Sequence, residues 1–216
     1  MKNRILLFIL LSVMMAWFLA PIYTDSEEET ISLQFVDEAE NEISEEEIIN
    51  QNIESMQCEM AEIESIKDAK EWFITYKSIV VKYSDILDPP ETIYDYFDNE
   101  ELELLFRVVE AEATEGTFIE KANVASVIFN RLEHDEFGDE LSDVLVKKQF
   151  SSISDGRYLK VDITEDAVLA CEYAFEIQDT TNGSLYFEKG TNVHSSYADY
   201  LFTDDIGHDF YVEKGE

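Results

Sequence analysis

The N-terminal part of the chain is strongly acidic and lacks basic side chains over a long stretch. From Ile5 to Ile66 there is no Lys or Arg. Over the same stretch carboxylates accumulate at Glu27, Glu28, Glu29, Asp37, Glu38, Glu40, Glu42, Glu45, Glu46 and Glu47. Like charges repel one another, so such a segment resists collapse into a core. Residues 24–61 are therefore predicted to be a disordered acidic linker, and binding of cations or of a basic partner is the alternative role.

The charge of the whole chain excludes one large class of function. Its formal net charge is −34 at pH 7. Nucleic-acid binding depends on clustered Lys and Arg side chains that neutralise phosphates. We therefore predict no nucleic-acid partner. An apolar content of 45% over 216 residues is still sufficient for one compact domain with appendages.

The chain begins with a basic and then an apolar segment, the order found in export signals. Basic residues within the first four positions precede an uncharged run from Ile5 to Ala20. This order predicts export from the cytoplasm. Residues 1–23 are then either a signal peptide or an N-terminal membrane anchor. The anchor is favoured, because Phe18 stands where a cleavage site has a small residue and Pro21 follows the candidate cut.

An amphipathic helix is predicted to follow the linker, within residues 62–91. Its apolar residues recur at steps of three and four, which places them on one stripe. They are Ile66, Ala69, Phe73, Tyr76, Val80, Tyr83 and Leu87. Aromatic side chains fit poorly in a narrow two-helix seam, so we expect the stripe to pack on the C-terminal domain rather than in a coiled-coil dimer. Pro89-Pro90 ends the helix and marks the domain boundary.

Residues 92–216 are predicted to form a helix-rich α+β domain. Asp98 can cap a helix, and Glu101, three residues later, completes a capping box. The predicted helices cover residues 98–114, 120–132, 141–147 and 164–178. After the turn-forming Asn182-Gly183, two short segments are rich in aromatic and β-branched residues. These segments, 184–188 and 209–213, predict strands of a small antiparallel sheet.

Neither the cysteines nor the histidines form a pattern of metal ligands. Cys58 and Cys171 are expected to remain unpaired, although an exported protein could form one disulfide bond. His134, His194 and His208 lack the spacing of zinc ligands. We therefore predict no metal and no cofactor.

One carboxylate lies on the apolar face of the first helix of this domain. Glu112 follows Val109, Val108 and Leu105 by three, four and seven positions. The opposite face carries Glu103, Arg107 and Glu110. An ionised carboxylate is costly in an apolar face, so this group is either paired, open to solvent or protonated. A protonated carboxyl can act as a general acid, whereas pairing with Arg131 or exposure at the helix end is the structural alternative.

Ordered motifs run through the domain from residue 98 to residue 212. They are Val108-Val109-Glu110-Ala111-Glu112-Ala113 with a helix at 124–131, Gln149-Phe150-Ser151 with Asp155-Gly156-Arg157, Leu185-Tyr186-Phe187, and His208-Asp209-Phe210-Tyr211. Each motif alone is weakly specific, but the motifs taken together in this order are specific. Together they resemble the SleB/CwlJ-type cell wall hydrolase family, the spore cortex-lytic enzymes among them.

The resemblance implies a lysozyme-like fold and an enzyme that cleaves peptidoglycan glycan strands. It assigns Glu112 the role of the catalytic acid. The residues predicted to contact substrate are Gln149, Phe150, Ser151, Asp155, Tyr186 and His208. Phe150 and Tyr186 can equally be core residues, and His208 can order the sheet by hydrogen bonding. These alternatives stay open from the sequence.

The mechanism that the resemblance favours is that of a lytic transglycosylase. In that route the muramic acid 6-hydroxyl attacks in place of water, so one Glu serves as acid and then as base. Asp155 is the second carboxylate if the enzyme is a hydrolase. The alternative function is a catalytically inactive, membrane-tethered peptidoglycan-binding protein. Thr114-Glu115-Gly116, where the family has Arg-Gly-Glu, favours that alternative.

Overall fold

The computed structural model describes residues 44–146, 148–190 and 197–214. Its helices are α1 (Glu45–Ile63), α2 (Ala69–Lys82), α3 (Ile93–Tyr96), α4 (Asn99–Glu112), α5 (Phe118–Leu132), α6 (Leu141–Val144), α7 (Ser151–Asp155) and α8 (Glu165–Glu176). A 3₁₀ turn occupies Arg157–Leu159. The strands are β1 (Tyr186–Lys189), β2 (Ala198–Thr203) and β3 (His208–Glu213). Within these ranges no helix combines the length and the apolar character needed to cross a bilayer. The predicted signal or anchor at 1–23 lies outside the described residues.

Helix α1 occupies part of the segment predicted to be a disordered linker. The carboxylates of its first turn are Glu45, Glu46 and Glu47. They lie where the positive end of the helix dipole favours negative charge. At the other end Ile63 is buried and packs in one cluster with Ile79 and Tyr83 of the next helical segment. Residues 45–61 therefore differ from the prediction, because their acids suit a helix start and one apolar edge finds a partner. Residues 24–43 lie outside the described residues.

Helix α2 is shorter than the amphipathic helix predicted within residues 62–91. The Asp68 carboxylate accepts a hydrogen bond of 2.8 Å from the Glu71 backbone N–H and caps the first turn. Such a cap fixes the start of a helix, since it satisfies an N–H group that has no partner within the helix. The helix consequently begins at Ala69, and a separate turn joins it to α1.

The apolar stripe of α2 packs on the C-terminal domain, as predicted. Phe73 is 0% exposed and lies in one cluster with Phe118 of α5 and Tyr173 of α8. The Phe73 and Tyr173 rings meet edge to face, with centroids 5.4 Å apart. Lys77 of α2 also forms an ion pair with Glu172 of α8. Helix α2 thus covers an aromatic patch formed by α5 and α8.

Helices α4, α5 and α8 build the main core. Asp98 caps α4 and forms the predicted capping box with Glu101. Helix α5 is buried along almost its whole length and packs against both α4 and α8. Four of the observed helices, α4, α5, α6 and α8, agree with the predicted ones to within a few residues at each end. The predicted helix-rich α+β class is therefore confirmed.

The sheet is antiparallel and has the strand order β1-β3-β2. Strands β1 and β3 were predicted, but the edge strand β2 was not. Tyr200 and Leu201 are both exposed, so β2 lacks the alternation of apolar and polar residues that marks a half-buried strand. A register shift between Tyr200 and Phe202 also interrupts any such alternation.

Cys58 and Cys171 are both free thiols. Cys58 is exposed on α1, and Cys171 is buried on α8. Burial raises the pKa of the Cys171 thiol well above its ordinary value. This thiol is therefore a packing residue of the core rather than a reactive group.

Glu176, at the end of α8, makes the stability of the fold depend on pH. Burial raises the pKa of its carboxyl from 4.5 to about 7, and its Oε1 atom is buried with no hydrogen-bond partner in the part of the chain that the structure describes. Because the pKa is higher in the folded state, the proton stabilises the fold at acidic pH. That contribution is lost as the pH rises from 4.5 through about 7.

We expect Glu176→Gln to raise the melting temperature by a few degrees at pH 8 and by much less at pH 5. The amide carries no charge at either pH, so the cost of burying an ionised carboxylate disappears where the wild-type group is ionised. Thermal unfolding followed by circular dichroism at both pH values measures the difference. An equal shift at the two pH values would contradict this assignment.

Candidate active site

Glu112 is the last residue of α4, and its side chain meets the start of α7. The side chain is only 8% exposed. The Ser152 backbone N–H donates a hydrogen bond of 2.8 Å to Oε1, and Ser151 Oγ lies 3.2 Å from Oε2. Arg131, the partner considered from the sequence, instead donates to the Leu185 carbonyl. The carboxyl group is thus oriented by polar donors from one short helix.

The solvent face predicted for α4 is wrong at Glu110. This residue is 4% exposed, and its Oε1 lies 3.1 Å from Lys121 Nζ of α5. Thr164 Oγ1 donates a hydrogen bond of 2.5 Å to Oε2. Lys121 Nζ also donates to the Ala113 carbonyl at 2.9 Å. The last turn of α4 is enclosed by α5 and by the start of α8, so more than one side of this turn is buried.

Arg157 connects the end of α4 to α7. Its Nη1 donates a hydrogen bond of 2.9 Å to the Ala111 carbonyl, and its Nη2 donates one of 2.8 Å to Ser151 Oγ. The same Nη2 lies 3.9 Å from Oε2 of Glu112. Arg157 therefore holds both the proposed acid and one of its hydrogen-bond donors. Arg157 stands within one of the sequence motifs, but no role was predicted for it.

Asp155, the candidate for a second carboxylate, is engaged by the same arginine. Its Oδ2 accepts a hydrogen bond of 2.8 Å from Arg157 Nε, and its Oδ1 accepts one of 2.9 Å from the Arg157 backbone N–H. These bonds hold the pKa of the Asp155 carboxyl below its ordinary value. Gly156 makes the intervening turn possible, because its φ of 74° lies in the left-handed region. Asp155 is therefore an ionised partner of Arg157.

A cavity of about 440 Å³ lies next to the segment that carries α7. Gln149 and Tyr186, both predicted to contact substrate, contribute to its walls. Glu112 does not line this cavity. Gln149 and Ser152 are nevertheless three residues apart, so their Cα atoms are within about 11 Å. One short stretch of chain therefore serves both the cavity and the proposed acid.

Phe150 and His208 are buried rather than presented to a ligand. Phe150 is 2% exposed, and the guanidinium carbon of Arg131 lies 5.1 Å from its ring centroid. His208 is 5% exposed, with Nδ1 3.3 Å from Asp204 Oδ2. A core role fits Phe150, and the position of His208 beside Asp204 fits the alternative that it orders the sheet. His134 lies near Glu213, and His194 lies outside the described residues.

Comparison with known proteins supports the resemblance drawn from the motifs. Residues 116–211 match the family described as Cell Wall Hydrolase. This region of the chain is therefore similar to the cell wall hydrolase family. A cell wall hydrolase is an enzyme that cleaves peptidoglycan, and it acts outside the cytoplasm. Ser151, Asp155 and Arg157 lie within the matched region, and Glu112 lies just before it. Among curated proteins, none matches the sequence significantly.

Solved structures share the fold of this domain. The catalytic domain of the germination-specific lytic transglycosylase SleB from Bacillus anthracis is 20% identical, with a TM-score of 0.50. That match covers 56% of this chain and 100% of the other. The catalytic domain of the Bacillus cereus SleB protein is 22% identical, with a TM-score of 0.48, and the match covers 54% of this chain and 92% of that one. The first likeness confirms the fold.

We expect Arg157→Gln to lower the rate of peptidoglycan cleavage about ten- to a hundredfold, mainly through kcat. Without the guanidinium, Ser151 and the Glu112 carboxyl are no longer held in one orientation. Small misplacements of catalytic groups lower reaction rates by factors of this size. Arg107→Gln is the matched control, because Arg107 also binds one carboxylate and one backbone carbonyl, those of Glu103 and Val161. Release of soluble fragments from peptidoglycan measures both. Equal losses in the two variants would argue against a positioning role.

Proposed function

We propose that this cell wall hydrolase cleaves peptidoglycan glycan strands as a lytic transglycosylase, with Glu112 as the general acid and then the general base. Glu112 donates its proton to the glycosidic oxygen as that bond breaks. The 6-hydroxyl of the same muramic acid attacks the anomeric carbon, and the Glu112 carboxylate takes the proton of that hydroxyl. The product is a 1,6-anhydro sugar, and no water is consumed.

The observation that carries the proposal is the environment of the Glu112 carboxyl. It is 8% exposed and accepts a hydrogen bond from the Ser152 N–H. The proposed mechanism requires this carboxyl to carry a proton when the substrate is bound. After proton transfer, the Ser152 N–H, Ser151 Oγ and Arg157 guanidinium would stabilise the carboxylate until it recovers a proton.

Support for the transglycosylase route over simple hydrolysis comes from Asp155. A hydrolase of this kind needs a second carboxylate that can activate water or attack the anomeric carbon. Both carboxylate oxygens of Asp155 already accept hydrogen bonds from Arg157. A route that uses one carboxyl group therefore fits the site better than a route that uses two.

The test is to incubate the full chain with purified peptidoglycan and to weigh the released fragments by mass spectrometry. Fragments that lack one water, relative to hydrolysed ones, support the transglycosylase. Fragments with a free reducing end instead indicate a hydrolase and direct attention to Asp155. If the chain binds peptidoglycan but releases nothing, the inactive binding protein is the correct description.

We further propose that the chain is exported and held at the membrane through residues 1–23, with residues 92–216 as its catalytic domain. Two polymers fit this location, the vegetative wall and the spore cortex, which contains muramic lactam. A role in spore germination would follow from a preference for cortex. Parallel digestion of vegetative and cortex peptidoglycan, compared by initial rate, distinguishes the two substrates.

A further inference from the structure

The cavity beside the α7 segment contains a buried cation with an unused hydrogen-bond donor. Arg131 is 3% exposed and contributes to the cavity wall. Its Nε donates a hydrogen bond of 2.7 Å to the Leu185 carbonyl. Its Nη1 is buried and has no hydrogen-bond partner among the described residues. Buried charges in proteins are normally paired, yet no carboxylate in the described part of the chain forms an ion pair with this guanidinium.

Aromatic rings compensate the buried charge only in part. The guanidinium carbon of Arg131 lies 5.0 Å from the ring centroid of Phe137, 5.1 Å from that of Phe150 and 5.9 Å from that of Tyr186. Such contacts stabilise a cation modestly. Burial lowers the pKa of Arg131 to about 10, because the charged form is desolvated. An anion in the cavity would remove this imbalance.

The other walls of the cavity suit an anion attached to a sugar or a peptide. Its volume of about 440 Å³ lies within the usual range of small-molecule sites. Lys148 adds a second cation to the cavity wall, and Glu136 contributes one carboxylate. The lining residues therefore carry more positive than negative charges. Tyr186 and Tyr197 present aromatic rings, and Gln149 presents an amide. Aromatic faces and a few polar groups are the usual means of holding a sugar in place.

We propose that this cavity is a subsite for a carboxylate-bearing part of peptidoglycan, with Arg131 as the carboxylate ligand. The inference rests on the proposed function, because the stretch that supplies Gln149 to the cavity also supplies Ser152 to Glu112. Two parts of the polymer carry the required group. One is the lactyl group of a muramic acid without peptide, and the other is the stem peptide.

The first test compares two ligands that differ in one charge. N-acetylmuramic acid and its methyl ester are titrated into the full chain by isothermal calorimetry. We expect the acid to bind about ten- to a hundredfold more tightly, since a hydrogen bond to a charged group contributes that much. Equal affinity, or no binding of either ligand, overturns the proposal.

A third ligand identifies the source of the carboxylate. In N-acetylmuramoyl-L-alanyl-D-isoglutamine the lactyl group is blocked as an amide, and a peptide carboxylate is free. Affinity equal to or higher than that of N-acetylmuramic acid shows that the carboxylate of the stem peptide also fits the subsite. Weaker binding assigns it to the lactyl group. Both outcomes support a carboxylate subsite, provided that the acid is preferred over the ester.

Two substitutions test whether the ligand binds in this cavity. Arg131→Gln is expected to abolish the preference for the acid, and a folded variant that keeps the preference overturns the proposal. Because Arg131 also holds the Leu185 carbonyl, this variant can fail to fold. Lys148→Gln, at an exposed position, is therefore the second variant. We expect it to weaken binding of the acid about threefold and to leave the ester unchanged; an unchanged affinity for the acid counts against the site.

The Glu112→Gln variant separates this inference from the proposed function. It should lose cleavage and keep the preference for the acid over the ester. If the wild-type chain cleaves no peptidoglycan but prefers the acid, the proposed function fails and the subsite stands. If cleavage occurs without the preference, the subsite fails alone.

Discussion

Replacing Glu112 by glutamine is expected to lower the rate of glycan cleavage by about a hundred- to ten-thousandfold, the usual contribution of a general acid. The amide is nearly the same size and can still accept the Ser152 N–H, so the fold should be kept. It cannot donate a proton to the glycosidic oxygen. The rate of fragment release from peptidoglycan, with circular dichroism as the check on folding, measures the effect.

Two controls make this prediction specific. Glu103→Gln changes a carboxylate on the same helix whose side chain is 59% exposed, and it should leave the rate unchanged. Asp155→Asn should lower the rate moderately and leave the anhydro product in place, because Asp155 only holds Arg157. Complete loss of activity in Asp155→Asn together with a reducing-end product in the wild type would replace the one-carboxyl mechanism by hydrolysis.

Lys121→Met is expected to lower the free energy of unfolding by about 3–5 kcal/mol, the usual effect of removing one partner of a buried ion pair. The side chains of Lys121 and Glu110 are 3% and 5% exposed. Without the ammonium group, the Glu110 carboxylate is left buried with Thr164 as its remaining donor, and the Ala113 carbonyl loses a donor as well. Urea unfolding followed by circular dichroism gives the value. Domains of this size are stable by only about 5–15 kcal/mol, so the loss is large.

A double substitution and a surface pair test the reason for that loss. Adding Glu110→Gln to Lys121→Met removes the buried charge, so the double variant should be more stable than the single one. Lys82→Met breaks an ion pair with Glu59 at the surface and should leave the unfolding free energy nearly unchanged. If the double variant is no more stable than Lys121→Met, the cost comes from lost packing instead of an unpaired carboxylate.

Local signals explain which parts of the fold could be predicted from the sequence. Two signals depend only on residues that are close in the sequence: the capping box of Asp98 and Glu101, and the apolar periodicity of α5. The helices that carry these signals were therefore predicted closely. Helix α1 was missed because its stability depends on a partner, α2, whose contact with Ile63 is not visible in composition. Strand β2 was missed because it is an exposed edge strand, and its pairing is made by backbone hydrogen bonds to β3.

The candidate site divides in the same way. The position of Glu112 on an inward face follows from helix geometry, and the motifs marked the segment from Gln149 to Arg157. The roles within that segment depend on how it folds against α4. Burial of Phe150 under Arg131 and capture of Asp155 by Arg157 are long-range contacts. The burial of Glu110 was missed for a related reason. A helical projection assumes that one face of the helix is buried, whereas the last turn of α4 is covered on two sides.

The position of α2 determines where the enzyme can be shortened. The Pro89-Pro90 sequence looks like a natural place to cut, yet Phe73 upstream of it shields Phe118 and Tyr173. A protein that starts at residue 92 would expose these rings to water and should aggregate or lose heat resistance. A recombinant form that begins before Asp68 keeps the shield, and limited proteolysis in the turn after α2 should release an insoluble product.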